Sequence, residues 1–545
     1  MESRYFSDAG GRLKTSLTEA NRVMQSSLHL TFKMKGILRY IACILLICAV
    51  LEGQVGGPAE IQPPRAEQLP LSGRPETGTV VPAQTPVAGG GASSSVNTIS
   101  TSIQVQGMFQ GSVPRGIASA QPIALTLQDA VRRGIQYNLG VTTSGETSRQ
   151  ARALRLAAVA QLLPDITGGV SENVQQINLA TFGLLFTIPI PGVQFPTVVG
   201  PFNYFNAQAN LEESLSVTGL RNWRSAKQTV RSAELSALDA RELVSLAVAG
   251  SYLQILASTA RIQTVRAQIE TAQTVYQQAV DRNLNGLNAR IDVSRSQVEL
   301  QTQQQRLTSV LNEFEKEKIT LARLIGLPMA QGFTLPDAAP YHEVPAPDVD
   351  ALIRQAFAGR QDVQAAAAQV KSAELARGAA RAERYPWLEV TANYGAAGVN
   401  PSLEAHGVFL VSGGVNFPIY RSGRIEADIA QANAVLAQRQ AEFEDTKGRA
   451  EQDVRNAALD LAAASQQVRV AQSNRLLAAE TLTQARDRFR AGVTDTVELV
   501  QAQESVATAE QDYISALYAY NLARVSVGRA VAQTEASITA LVQGR

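Results

Sequence analysis

A thirteen-residue stretch occurs twice in this chain, and it limits the possible folds more than any other feature. The first copy reads D-R-N-L-N-G-L-N-A-R-I-D-V from Asp281 to Val293; the second reads D-R-F-R-A-G-V-T-D-T-V-E-L from Asp487 to Leu499. Each has Asp-Arg ahead of a glycine (Gly286, Gly492), an aliphatic residue straight after it (Leu287, Val493) and an acid six residues beyond (Asp292, Glu498). Long helical patterns flank both copies. Each copy therefore reads as the turn of a helical hairpin, where a helix C-terminus reverses most easily through a glycine at positive φ. The similarity continues without a gap to Arg323 and Arg529, so the chain is read as two copies of one structural plan.

The plan begins with a short helix in each half. In the first, Thr126 and Asp129 resemble a capping box ahead of Leu125, Ala130, Val131 and Ile135 at near-helical spacing. The second opens at Asp348. Each leads through an Ala-, Arg- and Gln-rich helix to a proline, Pro164 or Pro386, which ends the helix and turns its predecessor extended. The period then changes from 3.6 to 2. From Phe205 to Val217 an apolar series (Phe205, Ala207, Ala209, Leu211, Leu215) alternates with Asn206, Gln208, Asn210 and Ser214, and Glu213 interrupts the apolar face. Leu388, Val390, Ala392 and Tyr394, with a return strand carrying Phe409, Val411, Val415 and Phe417, repeat the pattern in the second half. Two-faced hairpins of this kind fit either a half-buried sheet on a soluble core or a membrane barrel. Aromatic residues at the strand ends (Trp223, Tyr385, Trp387, Phe417, Tyr420) suit a barrel's interfacial girdle. The apolar, proline-punctuated segment Ile177 to Pro201 has no counterpart in the second half and reads as an elaborated loop.

The long helices follow. A heptad series runs Ile429, Leu436, Phe443, Ala450, Ala457, Ala464, Ala471, Ala478, Ala485, beside a larger-residue series Val454, Leu461, Val468, Arg475, Leu482, Phe489. Sustained seven-residue spacing predicts a left-handed supercoil, and alanine on one seam lets helices approach closely.

Ahead of both halves the sequence is of another kind. An apolar run, Ile41 to Leu51, follows Lys33, Lys35 and Arg39, the layout of a secretory signal over residues 1–53, with a start at Met24 or Met34 as an alternative to Met1. Both cysteines, Cys43 and Cys48, fall in that run, so a processed chain would hold no thiol for a disulfide or a cysteine metal site. Residues 54–121 are rich in Pro, Gly, Ser and Gln and read as linker, with Ser102 to Val113 as a segment able to pair or dock. The remaining divisions are 122–340 and 341–535 for the two repeats and 536–545 for a C-terminal tail. Acids and bases nearly cancel, at a net charge of +1, which argues against a nucleic-acid partner. Three histidines, and none of the metalloprotease, phosphate-loop or serine-elbow motifs, give no basis for catalysis or a cofactor.

In sequence order the plan is helix, β-hairpin, long helical hairpin, then the same again, and it resembles the TolC-type outer-membrane efflux proteins from about Ile123 to Gln533. The most specific matches are the tips G-L-x-x-x-I-D-V (Gly286 to Val293) and G-V-x-x-x-V-E-L (Gly492 to Leu499) and the strand exit N-F-P-I-Y-R-S-G-R (Asn416 to Arg424). The resemblance implies an α+β membrane protein: a homotrimer with four strands per protomer in one twelve-stranded outer-membrane β-barrel, continued by a long periplasmic α-helical barrel. It implies a passive duct in a tripartite efflux or type I secretion system, with a periplasmic adaptor, an inner-membrane transporter and outer-membrane lipid as partners. It places the pore constriction at Asp292, Glu498, Phe489, Thr494 and Asp495, and adaptor docking at Gly286, Leu287, Gly492 and Val493. In the family an acid at the position of Asp292 pairs with an arginine of the second tip; here Thr494 stands in the arginine's place, and Phe489 where tyrosine is frequent. Asp292 and Glu498 are expected to form an acidic ring around the tunnel mouth. An exported coiled-coil scaffold without channel activity is the alternative from another class.

Overall fold

The computed structural model describes residues 65–70, 78–87, 98–183, 197–286, 289–337, 341–345, 347–399, 405–491, 493–494 and 496–543. The signal segment, including Cys43 and Cys48, lies outside the described residues, as do Leu287, Gly492 and Asp495.

Along the described chain come strands β1 (Val80–Val87), β2 (Thr98–Val105) and β3 (Ile123–Ala124), then helices α1 (Leu127–Tyr137) and α2 (Leu139–Ala160). Strands β4 (Asp165–Asn178) and β5 (Val198–Leu215) lead into α3 (Val217–Leu284) and α4 (Arg290–Leu324). After the short β6 (Phe333–Thr334) the order repeats with α5 (Val349–Gly359), α6 (Gln361–Ala382), β7 (Trp387–Gly398), β8 (Ala405–Asn416), α7 (Arg424–Arg490) and α8 (Thr496–Ala530), and α9 (Thr534–Val542) follows. The paired elements match closely in length: α3 has 68 residues and α7 has 67, while α4 and α8 have 35 each. The two longer helices, α3 and α7, each extend about 100 Å.

Local chemistry sets the boundaries. Thr126 caps α1, its side chain accepting from the Asp129 amide, and Asp348 caps α5 through the Asp350 amide. Asn138 separates α1 from α2. It is fully buried, accepts from Gly140 N, and donates to the carbonyls of Phe109 and Leu324, so one amide side chain satisfies three backbone groups. Ser216 alone separates β5 from α3: its hydroxyl accepts from Gly219 N, and strand becomes helix with no loop between.

The four long strands form one antiparallel sheet in the order β4-β5-β7-β8. Cross-strand rows continue one face through the sheet: Ile166, Leu211, Ala392 and Val411 in one row, Gly168, Ala209, Tyr394 and Phe409 in the next. This face is apolar and largely bare, with Val170 76% and Phe409 77% exposed. The opposite face carries Thr167, Asn210, Asn393 and Ser412 among others. Glu213 pairs with Val390 on the apolar face near the helical end of the strand. Strand β5 begins earlier than its alternation indicates, at Val198, and Val217 belongs to α3 rather than to the strand. The Ile177 to Pro201 segment accordingly contributes strand ends on both sides, and its residues 184–196 lie outside the described residues.

The main apolar core lies between sheet and tips. Tyr252, Leu253 and Ile255 of α3 meet Leu127 and Val131 of α1, Leu321 and Leu324 of α4, and Leu522 and Val525 of α8. The most apolar window of α3 is long enough to cross a membrane, but 67% of it is buried in this core. Below it, Leu461, Ala464, Val468 and Ala471 of α7 pack on Ala516, Ala519, Tyr520 and Ala523 of α8, so the small-residue seam is indeed the helix contact. Arg475 leaves the seam by stacking its guanidinium over the Tyr513 ring at 4.4 Å, with Glu510 3.8 Å away. Where the two repeats meet, Arg360 binds Asp362 and Asp453, each at 2.8 Å, and Arg529 binds Asp239 at 2.6 Å. Burial pushes the Asp239 carboxyl up, and Arg529 opposes the shift.

The expected linker is partly structured. Strands β1 and β2 pair as a hairpin, Phe109 is buried at 1% exposure, and Gly250 of α3 gives Ile103 room for contact that a Cβ would prevent. Further back, residues 65–70 lie along α6 and α7. There the amides of Ala66 and Glu67 donate to Glu383 and Asn222, and Arg65 and Gln68 both reach Asp428. Backbone hydrogen bonding to fixed side chains orders a composition too polar to fold alone.

One half-buried acid beside this core gives a pH-dependent prediction. Glu317 of α4 accepts from Gln254 of α3 at 2.9 Å, while its Oε2 has no partner. Burial pushes its carboxyl above the ordinary range, partly offset by hydrogen bonds from Ser258 and Gln254. A raised folded-state value means the native state gains stability as pH falls through it, fully so below the unfolded value. Glu317→Gln is therefore expected to raise the melting midpoint by a few degrees at pH 7.5, and the gain should vanish near pH 4, as followed by thermal melting of the detergent-extracted protein.

Candidate functional site

The ends of the two long helical hairpins hold the residues singled out in the sequence. At the first tip, α3 closes through Asn285, whose side chain donates to Asp281 O at 2.7 Å, and Gly286 takes φ +73°. A Cβ on Gly286 would meet no atom within 4 Å, so only the backbone conformation selects glycine there. Asp292 sits in the first turn of α4, where a carboxylate suits the positive end of the helix dipole. Arg295 lies 3.9 Å from it, one turn along the same helix.

At the second tip, Val493 N donates to Arg488 O at 3.0 Å and tightens the end of α7. Arg488 Nη1 donates to Glu498 Oε1 at 2.8 Å, and the Thr494 hydroxyl donates to the other oxygen, Oε2. The structure thus brings Thr494 and Glu498 together on one turn and keeps Asp292 on the other. Phe489 is 2% exposed and packs with Val275 of α3, Ala485, Leu499 and Ala502, as the last large residue of the α7 seam.

Two arginines not singled out from the sequence hold this end together. Arg282 of the first tip lays its guanidinium over the Phe489 ring at 4.3 Å and donates to Arg490 O at 3.2 Å. Arg488 holds Glu498. Both belong to the duplicated Asp-Arg pair, which was the available signal. Leu284, Ile291 and Val493 leave apolar side chains exposed at 79, 57 and 71% around the two turns.

The aromatic residues gather at the opposite end of the helices. Trp387 opens β7, Tyr385 precedes it, Phe417 and Tyr420 follow β8, and Trp223 lies in the second turn of α3. All five therefore lie where the sheet joins the helices. Tyr385, Phe417 and Tyr420 are exposed, and Arg421 covers the Trp387 ring at 5.3 Å.

The sheet, the long hairpins and their tips together match known proteins. The chain is 26% identical over 287 residues to the pyoverdine export outer membrane protein OpmQ of Pseudomonas putida, a match covering 51% of this chain and 58% of that one. It is 23% identical over 309 residues to the probable efflux pump outer membrane protein TtgC of the same species, covering 55% and 61%. The chain thus spans about three fifths of the length of these relatives. In fold it is similar to the CmeC outer membrane channel of Campylobacter jejuni, with TM-score 0.66 at 16% identity over 75% of this chain and 86% of that one. It is also similar to the outer membrane protein VceC of Vibrio cholerae, with TM-score 0.63 at 18% identity over 74% and 95%. The family model for outer membrane efflux proteins matches residues 147–327 and 352–533, one segment in each repeat and well over half of the chain, so the protein belongs to the outer membrane efflux protein family.

Proposed function

We propose that three copies of this chain close a twelve-stranded barrel in the outer membrane and act as the passive exit duct of an efflux pump. The observation that carries this reading is the open four-stranded sheet, with a bare apolar face and with β4 and β8 as unpaired edges. Backbone groups left unpaired in lipid cost several kcal/mol each, so such a sheet is compatible with a membrane only when its edges are joined to another copy. Four strands are too few to close alone, whereas twelve fall in the range of outer-membrane barrels. A coiled-coil scaffold would not account for the exposed apolar face.

The cargo class follows the names of the relatives, which include pyoverdine export and toluene efflux. Small organic solutes are therefore proposed, supplied by an inner-membrane transporter through a periplasmic adaptor. The exposed Leu284, Ile291 and Val493, with Gly286, Leu287 and Gly492 between them in sequence, are the surface proposed for the adaptor. The tips form the proposed constriction, with Phe489, Thr494, Asp495, Asp292 and Glu498 near it. With Thr494 in place of the family's arginine, the Arg488–Glu498 pair is the local charge contact of the second tip. The aromatic residues from Trp223 to Tyr420 are proposed as the periplasmic-side girdle, and residues 122–340 and 341–535 as the two repeats.

Two measurements test this reading. Purified protein reconstituted in planar bilayers is expected to give discrete cation-preferring channels, with Glu498→Gln lowering the preference; absence of any conductance in correctly inserted protein would refute the duct. The second concerns Arg282, whose stacking contributes about 0.5–1 kcal/mol and its carbonyl bond about 1 kcal/mol. Arg282→Ala should therefore shift the closed-to-open balance of the tips roughly tenfold toward open, seen as longer or larger openings in the same recordings.

A further inference from the structure

Above the tips, all four long helices line a half-open cavity of about 220 Å³ between the two hairpins of one protomer. A coiled coil would fill such a position with apolar side chains. Here α3 contributes Gln268 beside Thr264 and Thr271, α4 contributes Glu299 and Gln303 one turn apart, and α8 contributes Gln503 and Glu510. Leu482 of α7, Val506, Ala267 and Ala272 complete the wall.

The polar groups are buried but unsatisfied. Gln503 is 7% exposed, and neither atom of its amide has a hydrogen-bond partner. Gln303 is 4% exposed; its Nε2 donates to Glu299 Oε1 at 2.7 Å, which fixes the amide orientation and leaves Oε1 without a partner. Gln268 Oε1 is likewise unpartnered. Buried polar atoms in native proteins are almost always paired, so unpaired ones converging on one cavity call for an occupant.

The unmet atoms define the occupant's chemistry. Three amide oxygens (of Gln268, Gln303 and Gln503) are unmet acceptors against one unmet donor, Gln503 Nε2, and Glu299 adds a carboxylate that already accepts from Gln303. Among the described residues Glu510 is offset by Arg475 at 3.8 Å, whose guanidinium is already stacked on Tyr513. An acceptor-rich, negatively charged cavity fits a donor-rich cation. No group of three or more His, Cys, Asp or Glu side chains suited to a metal ion occurs among the described residues. A primary ammonium supplies three donors and no acceptor, and the alanine, valine and leucine part of the wall suits a short methylene chain.

We propose that this cavity is a binding site for a small aliphatic amine, held between the two helical hairpins by Gln303, Gln503 and Glu299. Such an occupant bridges α3 and α4 to α8, so its presence ties the two hairpins together some way above the tips. Isothermal titration of the full-length, detergent-purified protein with 1,4-diaminobutane tests the site, with 1,4-butanediol as the neutral control of similar length. Saturable binding of the diamine at about 1 mM or tighter, with no response to the diol, is the expected result. Gln503→Leu, which removes two unsatisfied buried atoms at similar volume and should not harm folding, is expected to weaken binding about tenfold. Gln503→Glu adds a carboxylate at the same place and should tighten it. No saturable heat with the diamine, equal response to the diol, or affinities unchanged in both variants would overturn the assignment.

Discussion

The backbone hydrogen bonds that β4 and β8 cannot make within one chain govern everything else in this protein. A sheet with one apolar face and two open edges is stable in lipid only when closed. Closure fixes the strand directions, and strand directions fix the helices, because β5 passes into α3 through the single capping residue Ser216. The second hairpin makes the corresponding passage through Gly423, in a left-handed conformation just ahead of α7. A sheet anchored in the membrane thereby sets the position of turns that lie about 100 Å away along each helix.

Two features make that long lever workable. The core around Tyr252 and Leu522 joins α3 to α1, α4 and α8, and the Arg529–Asp239 contact ties the two repeats, while Arg360 binds Asp362 and Asp453 within the second. Below this level the packing changes character. Alanine seams and buried glutamines replace large aliphatic residues, and the tips rest on Phe489, Arg282 and largely exposed ion pairs such as Arg488–Glu498. Exposed ion pairs contribute at most about 1 kcal/mol. Stability is therefore concentrated near the sheet and falls toward the turns, as the proposed gate there would require.

Much of this architecture was legible in the residues because periodicity survives without tertiary context. The duplicated tips, the heptad seam ending at Phe489, the capping pair Thr126 and Asp129, and the two faces of β5, β7 and β8 were all readable, and the structure reproduces them. Strand β4 was harder, since Gly168 and Glu172 interrupt the apolar series between Ile166, Val170 and Val174. Residues 65–70 and 78–101 read only as linker, while Ser102 to Val113 read as able to pair or dock; residues 65–68 are ordered by distant partners such as Asn222, Glu383 and Asp428, and β1 and β2 by pairing with each other. The site was only partly legible for the same reason. Spacing located the turns and their acids, but only the fold shows that Arg488 takes Glu498 and that Arg282 crosses to Phe489.

The central claim is that β4 of one copy pairs with β8 of the next until the ring closes at three. It is tested most directly by thiol cross-linking across that seam. The chain would carry Val170→Cys and Phe409→Cys on a background of Cys43→Ser and Cys48→Ser, and be treated in outer membranes with a short flexible bismaleimide. The account predicts covalent dimers and trimers with nothing larger, and monomers only when either new cysteine is omitted. Unlinked monomers in the doubly substituted chain, or a ladder that continues past three, would contradict it.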